Sequence, residues 1–137
     1  MTGNHDKIIG PIARKRNLEI KKYEITNDLL VIHGDEIIDN FDEILKKNKI
    51  KKIIIGHEHP AISFRRESRI EKYKCFLEGK WKKYYLIVLP SFNPAVEGSD
   101  VLKEELFSQF LSSGIGNFNV YAVEDKTYSF GKLKNLR

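Results

Sequence analysis

The 137-residue sequence predicts an α/β fold, and three patterns carry that expectation. Apolar, β-branched runs stop abruptly at histidine or glycine, as buried strands do: Leu29 to Ile32, and Ile53 to Ile55. A segment of helical period lies between them, so strand, helix and strand follow in the order of a parallel βαβ unit. After Pro60 the pattern changes to strand-like runs separated by turn residues, which suits antiparallel strands.

The first residues, Gly3 to Gly10, read as an active-site-type loop with a helical turn near Ile8. Residues 17–26 place Leu18, Ile20, Tyr23 and Ile25 in a strand-like alternation. Asn27-Asp28 is a turn signal, so this run and Leu29 to Ile32 form a hairpin. Asn40 to Asn48 reads as a helix: Asn40 caps it, Glu43 completes a capping box, and Phe41, Ile44 and Leu45 share one face. Lys51 to Gly56 is the next strand, with Gly56 supplying the turn. Residues 61–64, 70–77 and 84–89 follow as antiparallel strands, with turns near Arg66-Glu67-Ser68 and Glu78-Gly79. Asp100 caps a short helix to about Ser112, its buried side formed by Leu102, Leu106, Phe107, Phe110 and Leu111. Residues 113–117 carry glycines without the lysine of a phosphate loop and read as a turn. A hairpin over Glu124-Asp125-Lys126 closes the chain.

With 41% hydrophobic and 31% charged residues, the chain suits one soluble domain of modest core. No long uncharged run is present, so no membrane partner is expected. The start lacks the basic and apolar regions of a signal peptide, which makes a cytoplasmic location the expectation. The single cysteine, Cys75, sits in a strand-like run and reads as a buried structural thiol. A net charge of +5 moderately favours polyanionic partners.

All four histidines lie in three clusters beside glycine: Gly3-Asn4-His5-Asp6, His33-Gly34-Asp35, and Gly56-His57-Glu58-His59-Pro60. On an extended strand tip, residues i and i+2 point the same way, so His57 and His59 converge on one point. Imidazole is a common ligand of divalent transition metals. Taken singly, Asn4-His5-Asp6 suits a frayed terminus, His33 a capped strand end and the G-H-E-H pair a solvated loop.

Taken together, in order, G-N-H-D, H-G and G-H-x-H resemble the second half of the calcineurin-like metallophosphoesterases. The string Gly-His-Glu-His-Pro-Ala-Ile, with Leu-Pro-Ser-Phe-Asn-Pro at 89–94, is similar to the small phosphoesterases associated with DNA ligase and helicase. The resemblance spans Gly3 to about Gly98. It implies part of a four-layer β-sandwich flanked by helices, and a metal-dependent phosphoesterase acting on phosphodiester bonds of nucleotides or nucleic acid. It implies that Asn4, His33 and His57 are ligands of one ion and that His59 is a ligand of a second. It casts His5 as the acid facing the leaving-group oxygen, with Asp6 orienting it. The expected metal is Mn²⁺.

The family's D-x-H and G-D-x-x-D do not occur in this sequence, and Gly34-Asp35-Glu36-Ile37-Ile38-Asp39 has the wrong spacing. The carboxylate ligands and the bridging aspartate are therefore missing, as is the first αβ half. The expectation is an N-terminally truncated chain that pairs with a separate half or self-associates and holds at most one ion weakly. Four basic clusters also stand out: Arg14-Lys15-Arg16, Lys49 to Lys52, Arg65 to Arg69, and Lys80 to Tyr85. Arg65 and Arg66, just past His59, are the expected substrate contacts. The alternative function is a non-catalytic partner subunit that binds nucleic acid through a basic face.

Overall fold

The computed structural model describes Gly3, Asn4 and residues 9–136, with the side chain of Arg66 left out. Within that range the chain is a strand-rich mixed α/β structure with two α-helices. The elements are α1 (Ile9–Lys15), β1 (Tyr23–Thr26), β2 (Leu29–Ile32), α2 (Phe41–Lys47) and β3 (Lys52–Ile55). Then come β4 (Pro60–Arg66), β5 (Arg69–Trp81), β6 (Tyr84–Val88), β7 (Ser99–Asp100), β8 (Asn119–Val123) and β9 (Thr127–Lys132). Single 3-10 turns cover Gln109–Leu111 and Leu133–Asn135.

The expected βαβ unit is present. Strands β2 and β3 are parallel, α2 connects them, and β6 adds parallel on the other side of β3. The sheet order is β1-β2-β3-β6-β5-β4-β7, with β8 pairing β5 and β9. Strand β5 joins the two halves of the sheet. Its residues 69–74 pair with β4, 75–78 with β8, and 77–81 with β6. Burial in β2 and β3 alternates: Leu30, Ile32, Ile53 and Ile55 are buried on one face, while Leu29, Val31 and Ile54 on the other are half-buried. Phe41 and Leu45 of α2 pack into the same core, where Phe41 meets the Trp81 and Phe110 rings edge-on at 5.9 and 5.5 Å.

Four local expectations are corrected. Residues 9–15 are helical, and the strand expected over 17–26 is confined to Tyr23–Thr26. Pro11 fits α1 because N–H groups in the first helical turn have no intrahelical partner. The apolar residues Leu18 and Ile20 stay exposed, so their alternation serves no sheet. Asn40 precedes α2, but its backbone is left-handed (φ 57°) and its side chain makes no capping bond. A capping side chain needs an extended backbone to reach back over the first turn.

The turn expected at Glu78-Gly79 lies instead at Lys82-Lys83, and β5 runs straight through. Gly79 is there for space. A Cβ on it would stand 2.4 Å from the Phe118 ring. The helix expected from Asp100 to Ser112 is a series of turns and one 3-10 turn. Asp100 is held in β7, beside Ala61. Its Oδ1 accepts the Leu102 N–H at 3.0 Å, and its carbonyl accepts those of Lys103 and Glu104, closing one turn. Further along, the N–H groups of Phe107 and Ser108 are taken by a side chain from elsewhere, so no helical ladder forms.

Candidate metal centre

The parallel strands decide where the histidines go. In open α/β sheets, ligands bind beyond the carboxyl ends of parallel strands. His33 follows the last residue of β2, and His57 lies two residues past the end of β3. The strand ends are tied together, because the His33 carbonyl accepts both the Gly56 and His57 N–H groups at 2.9 Å. Gly34, at φ 96°, turns the chain away, and a Cβ there would meet Ile55 at 2.7 Å. The turn role expected of Gly56 is not seen, since its φ is not positive. The left-handed residue of the G-H-E-H loop is His59, at φ 49°. His57 and His59 therefore share a cleft through a turn rather than through an extended i, i+2 tip.

Three of the expected ligands are brought together. His33 Nε2 lies 3.1 Å from Asn4 Oδ1 and 3.2 Å from His57 Nδ1. Gly3 packs flat on the His33 ring, where a Cβ would come within 2.5 Å of the ring atoms. Two donors bound to one first-row ion at about 2.1 Å stand about 3.0 Å apart at right angles and about 3.4 Å apart at the tetrahedral angle. The observed separations fall in that range. Which of these nitrogens carries a proton depends on the tautomers of His33 and His57.

His59 lines the same cleft, about 370 Å³ in volume, with Asn4, His33, His57, Glu58 and Phe107. Asp35 and Glu36 line a smaller cavity of about 140 Å³ on the Asn4–His33 side. Among the described residues, no group of three or more His, Cys, Asp or Glu side chains is gathered around one point. The donors that do meet, Asn4, His33 and His57, are all neutral. His5 and Asp6 lie outside the described residues. Arg65 is six residues beyond His59 along extended β4, about 20 Å at strand rise, and lines a different cavity. It is not brought to the histidines, because β4 carries it away from the strand ends.

Glu58 was not singled out as a site residue, and nothing in G-H-E-H marks it. It is 3% exposed, and its Oε2 accepts the N–H groups of Phe107 and Ser108 at 3.0 and 2.9 Å. Its Oε1 is buried without a hydrogen bond among the described residues. Burial pushes its carboxyl above the usual range, against the pull of the two N–H bonds and of His57. The Ser108 hydroxyl donates to the Gly34 carbonyl at 2.7 Å. These bonds pin the segment after Glu105 beneath both histidine loops and hold Phe107, 73% exposed, at the cleft wall.

No family model, curated protein or solved structure matches this chain. The case for its chemistry therefore stands on the residues themselves.

Proposed function

We propose that this chain is the histidine-bearing part of a metal-dependent phosphoesterase of the calcineurin-like class, hydrolysing phosphodiester bonds of nucleotides or nucleic acid. Its sheet would form part of the helix-flanked β-sandwich of that class. The observation that carries the proposal is the convergence of Asn4, His33 and His57 at the ends of adjacent parallel strands. These three residues would hold one divalent ion, Mn²⁺ by the resemblance, with His59 facing a companion position across the cleft. A bound ion of this kind supplies Lewis acidity and lowers the pKa of water. The chain's own residues do the rest. Glu58 fixes the loop that carries Phe107, which lines one side of the cleft. His5 would protonate the leaving-group oxygen, with Asp6 orienting its ring; both enter through the G-N-H-D motif alone.

All three converging ligands are neutral, whereas Mn²⁺ favours carboxylate and water oxygens. The isolated chain should therefore bind at most one ion, weakly, and hydrolyse phosphodiesters negligibly until carboxylates are supplied by another segment or partner. Calorimetric titration with Mn²⁺ tests this. The expected result is one weak site that disappears in His33→Ala. No binding at all would overturn the metal centre. Two tight ions, or robust turnover of a chromogenic phosphodiester by the chain alone, would overturn the partial site.

A second reading, nucleic-acid binding without hydrolysis, is favoured by one observation. Lys52 and Lys80 flank Tyr85 across adjacent strands, and Lys82 and Lys83 form the neighbouring turn. These lysines sit at the opposite end of β3 and β6 from the histidines. Binding of a DNA duplex that weakens steeply with added salt, with no metal-dependent cleavage, would favour it over the first.

A further inference from the structure

The largest cavity among the five described, about 520 Å³, lies between the β4–β5 hairpin and the β8–β9 hairpin, away from the histidines. Small-molecule sites commonly occupy about 300–1,000 Å³. Four of its lining residues are aromatic: Phe64, Tyr73, Tyr128 and Phe130. Tyr128 and Phe130 of β9 both line the cavity, with the β8–β9 register slipping by one residue at Phe130. Each is 39% exposed, and Lys126 Nζ stands over one face of the Tyr128 ring at 5.2 Å. Phe64 and Phe130 already stack at 4.8 Å and 26°, bridging the two hairpins.

The polar groups at this cavity are of two kinds. Arg65 is exposed and makes no ion pair among the described residues. Glu71 and Glu124 line the same space. Glu71 Oε2 is taken by the Tyr73 hydroxyl at 2.7 Å. Among the described residues no side-chain hydrogen bond engages Glu124, whose backbone N–H donates to the Lys126 carbonyl. The cavity thus offers a stacking surface, a carboxylate that accepts N–H donors, and a guanidinium that takes an anion.

We propose that this cavity binds a guanine nucleotide, with the base on the Phe130 and Tyr128 rings, Glu124 accepting from the base edge, and Arg65 engaging the phosphate. Guanine carries two adjacent donors, N1–H and the N2 amine, which match the two oxygens of one carboxylate. Adenine places an acceptor, N1, beside its amine, and that lone pair would face the carboxylate. Stacking alone would accept either base, so the carboxylate is what selects. The inference does not depend on the phosphoesterase proposal, because the histidines contribute nothing to this cavity.

Calorimetric titration of the full chain with GMP and with AMP, in EDTA so that no metal contributes, reads it directly. GMP should bind at least about tenfold more tightly than AMP, the worth of one charge-assisted donor pair left unmade. Glu124→Gln should bring the two affinities within about twofold, because an amide has only one acceptor oxygen. Arg65→Ala, at an exposed position, should weaken GMP about tenfold and leave guanosine unchanged. Phe130→Ala should weaken both nucleotides, with circular dichroism confirming the fold; should that variant unfold, the Arg65 and Glu124 variants still decide. No GMP binding at millimolar concentration, equal affinity for GMP and AMP, or wild-type binding by both Arg65→Ala and Glu124→Gln would each overturn the assignment.

Discussion

Glu58 carries an uncomfortable charge, buried with one oxygen unpartnered among the described residues. Its folded carboxyl is raised above the ordinary value, so the folded state holds its proton more tightly than the unfolded chain. That contribution to stability is fully present below the unfolded pKa and is lost as pH rises through the folded one. Urea denaturation across the acid range should show stability falling over that window, and Glu58→Gln should flatten the fall. Glu58→Ala removes the acceptor for two backbone N–H groups and should cost about 1–3 kcal/mol at any pH. A flat wild-type profile would show that Glu58 has the same proton affinity in both states. Cys75 gives a second residue-scale prediction. Burial, with the Asp100 charge adding to it, pushes its thiol up to about 12. A thiol-reactive dye at pH 8 should leave the native protein unlabelled and label it fully in denaturant. Its stability contribution runs the same way as that of Glu58, present below the unfolded thiol pKa and lost on the alkaline side.

At the scale of elements, β5 matters most, since one strand serves both halves of the sheet. Gly79 lets it pass Phe118, whose ring fills the place of a side chain. Gly79→Ala should therefore destabilise by about 1–3 kcal/mol, the usual range for overpacking a filled core. A loss of only a few tenths, measured by urea denaturation, would show that Phe118 moves aside freely. The mistaken turn at Glu78-Gly79 has the same origin. A glycine needed for close approach and a glycine needed for a turn look alike in sequence. The Lys82-Lys83 turn gave no such signal, because lysine has no preference for the positive φ (53°) that Lys82 adopts.

For the whole molecule, the exposed edges and apolar surface set the behaviour in solution. All six residues of β9 are exposed, and β1 ends the sheet order on the other side. Ile12, Leu18 and Ile20 are 54%, 62% and 43% exposed around the residues that follow and include α1. Unpaired edges and exposed apolar clusters attract other chains. Sedimentation should show an average mass that rises with concentration, and Leu18→Lys should reduce the rise. A wild-type monomer at every concentration would show that these surfaces are tolerated.

The sequence by itself determined the βαβ unit, because β2 and β3 bury one face, half-bury most of the other and so read as nearly unbroken apolar runs. It also placed His33 and His57 at strand ends, since polar residues directly after such runs have nowhere else to go. Only the tertiary structure decided that Asn4, from a segment 29 residues before His33, closes on the same point. It alone carried Arg65 away from the histidines and set it in an aromatic cavity. It alone turned the expected helix after Asp100 into a strap, because Glu58 takes the N–H groups of Phe107 and Ser108 from 49 and 50 residues away. Periodicity reports which face a residue buries. Which distant acceptor will claim a backbone N–H depends on chain segments that meet only when the sheet has formed.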